Sequence, residues 1–469
     1  MRRDNARLEK QRQKLEEEIA ELERDRERLR RERDRLEAEL RRLTAALLAA
    51  QRAGKRQAAP FSKGAPVPHP RRSGRRAGRR YGRHGYRRPP PDVDETITVT
   101  LPAECPACGG ALAETRVVDQ FQEDLPLVRP HVRRFRIHIG HCCGCGRRVQ
   151  GRHPQQTSDA LGAARTQMGP RAVAWIVLLN KRFGLSHGKT AAVLREWFHL
   201  DVRASAVTHA LHRAARQAMP TYTALQTTVR GSPMVSPDET SWKVGGRSWW
   251  LWAFVTPTTA LYAIQPGRGF AQAASVLGPN YAGVLVRDGW QGYRPFTAAG
   301  HQTCLAHLLR RCRELRELSP RERWPRRVAA LLTAALTLRD DARRGTVRPA
   351  AQRARYRQLT RRLHHLIDTV PRSGALYHLA EHLRREEPAV FRFLNDPAVD
   401  ATNWRAEHAL RPAVVNRKIS GDNRTPRGAA TQQVLTSVVQ TARLRGISPQ
   451  QVIVQLLHAQ TPAPSPALN

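Results

Sequence analysis

No apolar run in this 469-residue chain is long enough to cross a bilayer: the longest, Ala172 to Leu179, falls far short of the roughly 20 residues a spanning helix needs. The first 44 residues are charged throughout, so they offer no apolar segment for a secretory leader. Cysteine is sparse and odd in number, with seven in all and four in two Cys-x-x-Cys pairs. That usage argues against a secreted disulfide framework and for metal binding in a reducing compartment. Acid is short as well: 40 Asp and Glu stand against 80 Lys and Arg, a formal charge of +40, in a chain that is still 40% hydrophobic. Such a chain can build cores and seeks a polyanion, whether DNA, RNA or an acidic membrane surface. The length suggests about three folded units with linkers, and the expected location is the cytoplasm, on the nucleoid.

Leucines at 8, 15, 22, 29, 36 and 43 recur every seven residues, which predicts a coiled coil over 1–50. The second seam is mixed (Asn5, Arg12, Ile19, Arg26, Arg33, Leu40, Leu47), so a solvated single helix stays open beside it. From Gln51 to Pro91 there are thirteen Lys or Arg and no acid, with frequent Gly and Pro. The 51–95 segment therefore reads as a disordered basic arm whose Arg75, Arg76, Arg79, Arg80 and Arg83 bind DNA phosphates, with Tyr81 and Tyr86 as stacking groups. A merely solubilising linker is the alternative.

Cys105-Pro-Ala-Cys108-Gly and Cys142-Cys-Gly-Cys145-Gly have the spacing of two zinc knuckles, and four thiolates would close one structural Zn²⁺ site in a 96–155 zinc ribbon. Cys143 is spare, and His138 or His141 can stand in for a ligand. Between 156 and 228 apolar residues fall at helical spacing and break around His199–Arg203, as in a helix-turn-helix. In that reading Ser205 caps a second helix whose Thr208, His209, His212 and Arg213 face the major groove. A plain helical bundle would show a similar pattern.

Beyond Gly231 the period becomes extended. PMVSPDETSWKV, RSWWLWAFVT and TALYAIQP predict three strands, FAQAASVLG a helix, and AGVLVRDGW a fourth strand. Asp238 is expected near the end of the first strand and Asp288 at the end of the fourth, strands that are neighbours in a ribonuclease H-like sheet. Glu407 lies in a helix that Thr402 or Asn403 can cap, with Ala406, Leu410 and Ala413 on its buried face and Asn403, Glu407 and Arg411 on another. Clustered carboxylates call for an oxygen-seeking divalent cation, Mg²⁺ or Mn²⁺, and a pair of such ions suits displacement at phosphorus. On spacing alone, an Asp after a strand is more often a turn former than a metal ligand.

The stretches SPDETSWKV, GVLVRDGWQGY and NWRAEHALRPAVVNRKISGDNRTPRG resemble the catalytic blocks of insertion sequence 66 family transposases. The leucine repeat, the Arg/Gly arm with APFSKG and the Cys-x-x-Cys pairs come in the same order, so the resemblance spans nearly the whole chain. It implies a multidomain α+β chain. The coiled coil, zinc ribbon and helix-turn-helix-like helical domain precede a ribonuclease H-like α/β catalytic core at 229–445, with a C-terminal helix and tail at 446–469. Asp238, Asp288 and Glu407 match the Asp-Asp-Glu (DDE) triad, which would hold two Mg²⁺ or Mn²⁺.

The 118 residues between Asp288 and Glu407 leave room for an α-helical insertion at about 320–395. Cys304-Leu-Ala-His307 matches a Cys-x-x-His block of many DDE transposases, and active-site support, with Asn403, and simple helix packing are both open for it. The chain departs from the family at Asn403-Trp404 and Glu407-His408, where Asn-Asn and Glu-Arg are common. That departure bears on a neighbouring phosphate contact rather than on the carboxylate.

Arg411, Arg417, Lys418 and Arg424 follow the glutamate and are suited to DNA phosphates, a solvated basic face being the alternative. Expected partners are double-stranded DNA (element ends and target), a second copy of the chain joined through the leucine repeat, and companion proteins encoded by the element; a membrane is not among them. Two rivals share parts of this pattern: a non-catalytic DNA-binding regulator, and a nuclease that cleaves without joining.

Overall fold

The computed structural model describes residues 12, 18–39, 91–156, 167–370 and 374–458. The chain divides into two compact units, 1–121 and 122–469, and that division falls inside the segment read from sequence as a single zinc ribbon. In the first unit, α1 runs through 18–39 and leaves Ile19, Leu22, Leu29 and Leu36 more than half exposed, an apolar stripe along one face. Leu8, Leu15, Leu43 and the basic arm with Arg75, Arg76, Arg79, Arg80 and Arg83 lie outside the described residues. Among the described residues no helix is long and apolar enough to cross a membrane.

The second unit opens on a short hairpin, β1 (Ile139–His141) with β2 (Arg148–Gln150). It then builds a five-stranded mixed sheet from β3 (Met234–Val244), β4 (Arg247–Val255), β5 (Ala260–Gln265), β6 (Val284–Arg287) and β7 (Gly300–Thr303), in the order β5-β4-β3-β6-β7. The first three strands are antiparallel neighbours, whereas β6 runs parallel to β3, and β7 parallel to β6. This order is compatible with a ribonuclease H-like core. Between β3 and β4 the chain reverses over Gly245 and Gly246, at φ +57 and +78, a two-residue turn that glycine accommodates without strain. The fifth strand was not foreseen: GHQT is short and polar, but Gln302 is buried because its amide bonds Val390 O and Thr303 O and accepts from Phe393 N–H.

Side chains alternate across this sheet, and the alternation decides what faces what. Val235, Trp252, Phe254, Leu261, Ala263 and Leu285 join one core, shared with α2 (Pro170–Val177), α3 (His187–Phe198), α4 (Ala204–Arg230), α5 (Phe270–Leu277), α12 (Pro426–Leu444) and α13 (Pro449–His458). The 156–228 and 446–469 segments, drawn apart from the sequence, thus contribute to a core that includes the sheet. On the opposite face Leu251, Ala253, Val255, Tyr262 and Ile264 pack against Ala406, Leu410 and Ala413 of α11 (Trp404–Ser420). Small residues on α11 let it lie close, and the Tyr262 hydroxyl donates to Ala409 O at 2.8 Å.

Met234, Val284 and Val286 face a third cluster built by α6 (Leu305–Leu318), α7 (Trp324–Arg343), α8 (Pro349–Asp368), α9 (Gly374–Val390) and α10 (Arg392–Asn395). Of these, α7 to α10 occupy the span expected to be a helical insertion.

Two local expectations need correction. Ser205 does not cap α4: the helix starts at Ala204, Arg203 holds the cap position without a side-chain bond, and Ser205 sits in the first turn. Nor do all the residues assigned to a groove point outward. Thr208 bonds His187 at 2.8 Å, His212 bonds Thr431 at 2.7 Å, and Arg213 is half-buried, because α4 is a 27-residue helix packed along α12.

Candidate active site

Asp238 is the fifth residue of an 11-residue strand rather than near its end, because β3 continues as one arm of the hairpin with β4. Its pairing with β6 covers only Met234 and Val235, so Asp238 lies just beyond the point where that neighbour leaves. Asp288 follows β6 directly and accepts the Trp290 N–H at 2.9 Å, a local Asp turn that fixes its carboxylate. By strand alternation Asp238 shares a face with Met234, and Asp288 with Val284 and Val286, the side on which α11 and the insertion lie.

Glu407, in the first turn of α11, is brought to the same place by two tethers. Asn403 takes the cap position but makes no cap bond; instead its buried amide donates to Pro237 O at 2.8 Å, next to Asp238. Its backbone N–H donates to Cys304 Sγ at 3.2 Å, while the Cys304 N–H donates to Arg287 O at 2.7 Å, beside Asp288. The start of α6 therefore pins the start of α11 to the end of β6. His307, one turn along α6, sets its Nδ1 3.5 Å from Glu407 Oε1, and both atoms are buried without a hydrogen-bond partner.

Burial, together with the negative charges of Glu239, Asp288 and Glu407, pushes the Asp238 carboxyl up to about 8. Asp288 and Glu407, the other two carboxylates proposed from sequence, are thus within electrostatic reach of Asp238. A hard divalent cation would relieve that repulsion, and the oxygen-only donor set suits Mg²⁺ or Mn²⁺. Folded, metal-free protein holds the Asp238 proton far more tightly than an unfolded chain, whose carboxyl sits near 3.8. The contribution is fully present below about 4 and is lost as pH rises through about 8. Metal-free melting temperature should therefore fall across that window; Asp238→Asn should flatten the decline, and Mn²⁺ should reverse it. A flat wild-type profile would contradict the clustering.

Sequence reasoning missed two networks flanking the carboxylates. Glu239, the neighbour of Asp238, points to the other face and is held by Arg268 at 2.6 Å and the Tyr293 hydroxyl at 2.5 Å. Arg268 in turn lies over the Trp290 ring at 4.0 Å and the Trp250 ring at 4.8 Å. The only signal available was the acidic doublet itself. The second network joins buried Glu386 of α9 to Arg287 at 2.7 Å, Arg294 at 3.2 Å and Thr303 at 2.9 Å. Nothing in the sequence ties residues so far apart.

Gly289 stands where the insertion meets this loop. Its φ is +91, and a Cβ there would come 2.8 Å from His382 Cε1. Gly289→Ala combines left-handed strain of about 1–2 kcal/mol with displacement of Asp288. A misplacement of the order of 1 Å costs a reaction roughly a hundredfold. Any reaction that uses the Asp288 carboxylate should slow by about that factor while the melting temperature moves only a few degrees; an unchanged rate would show that the loop adapts.

Of the basic residues assigned to DNA, Arg411, Lys418 and Arg424 are exposed. Arg417 is instead engaged with the Ser241 carbonyl and lies over the Trp242 ring, because α11 runs back along β3. Trp404 is half exposed with the Arg405 guanidinium over its ring at 4.7 Å, and Asp400 fixes that arginine at 2.6 Å.

The two cysteine turns, each taken by itself, are built alike. Cys105 N–H donates to Gly110 O and Gly109 N–H to Cys105 O; Cys142 N–H donates to Arg147 O and Gly146 N–H to Cys142 O. Gly109 and Gly146 sit at φ +70 and +69. Backbone N–H groups of Ala107 and Cys108 lower the Cys105 thiol, and those of Cys145 and Gly144 lower the Cys142 thiol, which favours the thiolate a metal requires.

A family model described as the Transposase IS66 family matches residues 165–431, more than half of the chain. Two curated proteins of Sinorhizobium fredii (strain NBRC 101917 / NGR234) are also similar. "Uncharacterized protein y4hP" is 23% identical over 421 residues, covering 79% of this chain and 73% of its own. "Uncharacterized protein y4qI" is 25% identical over 236 residues, covering 44% and 43% respectively.

Proposed function

The chain belongs to the IS66 family of transposases, and from that membership we propose that it is a DDE enzyme that cleaves DNA at insertion-element ends and joins the freed ends to target DNA. The observation that carries this reading is that β3, β6 and α11 deliver Asp238, Asp288 and Glu407 to one side of the sheet, where the charges of Asp288 and Glu407 reach the buried Asp238. These three residues would hold two Mg²⁺ or Mn²⁺ ions, which when bound stabilise the attacking and leaving oxygens of an in-line displacement.

The chain's own groups supply the rest. Asn403 and Cys304 fix Glu407 against the two strands. Exposed Arg411, Lys418 and Arg424 neutralise phosphates of the DNA backbone, while Arg417 braces the β3–β4 hairpin. Cleavage and joining need no covalent enzyme intermediate: water attacks the phosphodiester first, and the liberated 3′-hydroxyl then attacks a target phosphate. The cysteine turns at 105–108 and 142–145 each present thiolates suited to structural Zn²⁺, and a second copy paired along the α1 stripe would bring two element ends together.

Incubation of purified protein with end-sequence DNA and Mn²⁺ tests this, with joined products expected. Cleaved ends without joined products would mean a nuclease. Binding activity as the sole activity, indifferent to Asp288→Asn, would mean a regulator.

A further inference from the structure

We propose that Cys304, His307 and Glu407 form a separate metal site, selective for Zn²⁺ or a similarly thiophilic cation, whose filling draws Glu407 away from the other two catalytic carboxylates. One ligand atom from each residue lies within 4.8 Å of the others. His307 Nδ1 and Glu407 Oε1 stand 3.5 Å apart, and each is buried without a hydrogen bond. Ligand atoms bound at about 2.0 Å in a tetrahedron are separated by roughly 3.3 Å, so a zinc ion fits between them with little movement.

Burial and the Glu407 charge hold the Cys304 thiol above its ordinary range, unlike the thiols of the two cysteine turns, so a bound cation must displace its proton. Cys304 is fully buried at the cap position of α6, where the helix end favours negative charge. Backbone N–H groups of Asn403, His307 and Ala306 are directed at it. Cysteine, histidine and carboxylate together are the donor set zinc prefers and Mg²⁺ avoids, so the oxygen chemistry of the triad gives no reason for Cys304 to be a thiol. A carboxylate held by zinc is not free to hold the catalytic ions, which makes zinc an inhibitor. The binding half stands on this geometry alone, whereas the inhibitory half rests on the DDE reading.

The test uses the full chain, stripped of metal, reloaded with excess Zn²⁺ and desalted. Wild type should retain one zinc more than Cys304→Ser or His307→Ala, with circular dichroism confirming that each variant is folded. Loaded with Co²⁺, it should show a thiolate-to-cobalt charge-transfer band stronger than that of Cys304→Ser. Equal metal content in all three folded proteins would overturn the site. Rising Zn²⁺ at fixed Mn²⁺ should then lower wild-type cleavage more than tenfold and leave Cys304→Ser flat against its own zinc-free rate. An extra zinc without that loss would overturn the inhibitory role. Absence of cleavage in every form would overturn the DDE reading and the inhibition with it, while the zinc count still decides the site.

Discussion

Asp238→Asn, Asp288→Asn and Glu407→Gln are each expected to lower Mn²⁺-dependent cleavage and joining at least about a thousandfold, equivalent to ~4 kcal/mol of transition-state stabilisation. Each change keeps the shape of the side chain and removes one anionic metal ligand. On the proposed DDE reading the three carboxylates act as one unit, so the double and triple variants should be no worse than the singles by more than about tenfold. Folding should survive, since the negative charges of Asp288 and Glu407 help raise the Asp238 carboxyl and removing one of them relieves repulsion. End-labelled DNA cleavage with circular dichroism on the same preparations separates the two effects. Retention of joining by any one variant would remove that residue from the triad.

Much of the frame behind this expectation is legible in the sequence. The aromatic and β-branched runs of β4 and β5, the Gly245-Gly246 turn and the helix-then-strand order ahead of Asp288 announce their elements locally. The helical period of α7, α8 and α9 announces the insertion in the same way. What was not legible depends on partners remote in sequence. Strand β7 is polar in composition and is held by Gln302 bonding Val390 and Phe393 some 90 residues away.

Ser205 looks like a cap by residue type, yet α4 begins one residue earlier and packs as a long core helix. Asn403 is the instructive case. Its place before an apolar helical period predicts a cap, and it does occupy the cap position. Its amide is spent on Pro237 across the site instead, a choice that only tertiary structure makes. Likewise the Cys304–His307 pair reads as one helix face, but its approach to Glu407 depends on Leu305, at the start of α6, donating its N–H to Ala401 O in the turn just before α11.

The same dependence on distant partners makes Glu386 the residue whose loss should cost most stability. It is 1% exposed and pairs with Arg287, itself buried, at 2.7 Å. The positive charge of Arg287 and the hydrogen bonds from Arg287 and Thr303 outweigh burial and keep the Glu386 carboxyl below its ordinary range. Glu386→Ala strands the guanidinium of Arg287 in the interior, where an uncompensated charge costs about 3–5 kcal/mol. Chemical denaturation should register that loss as a lower midpoint at unchanged slope.

Replacing both partners, as in Arg287→Met with Glu386→Leu, should recover most of it, because the penalty lies in the unpaired charge rather than in the absent pair. Arg287 immediately precedes Asp288 and its carbonyl accepts from Cys304 N–H, so the single variant should also lose cleavage out of proportion to its unfolded fraction. A Glu386→Ala protein as stable as wild type would mean that water or Arg294 reaches the gap, and the insertion would then be docked by its apolar core alone.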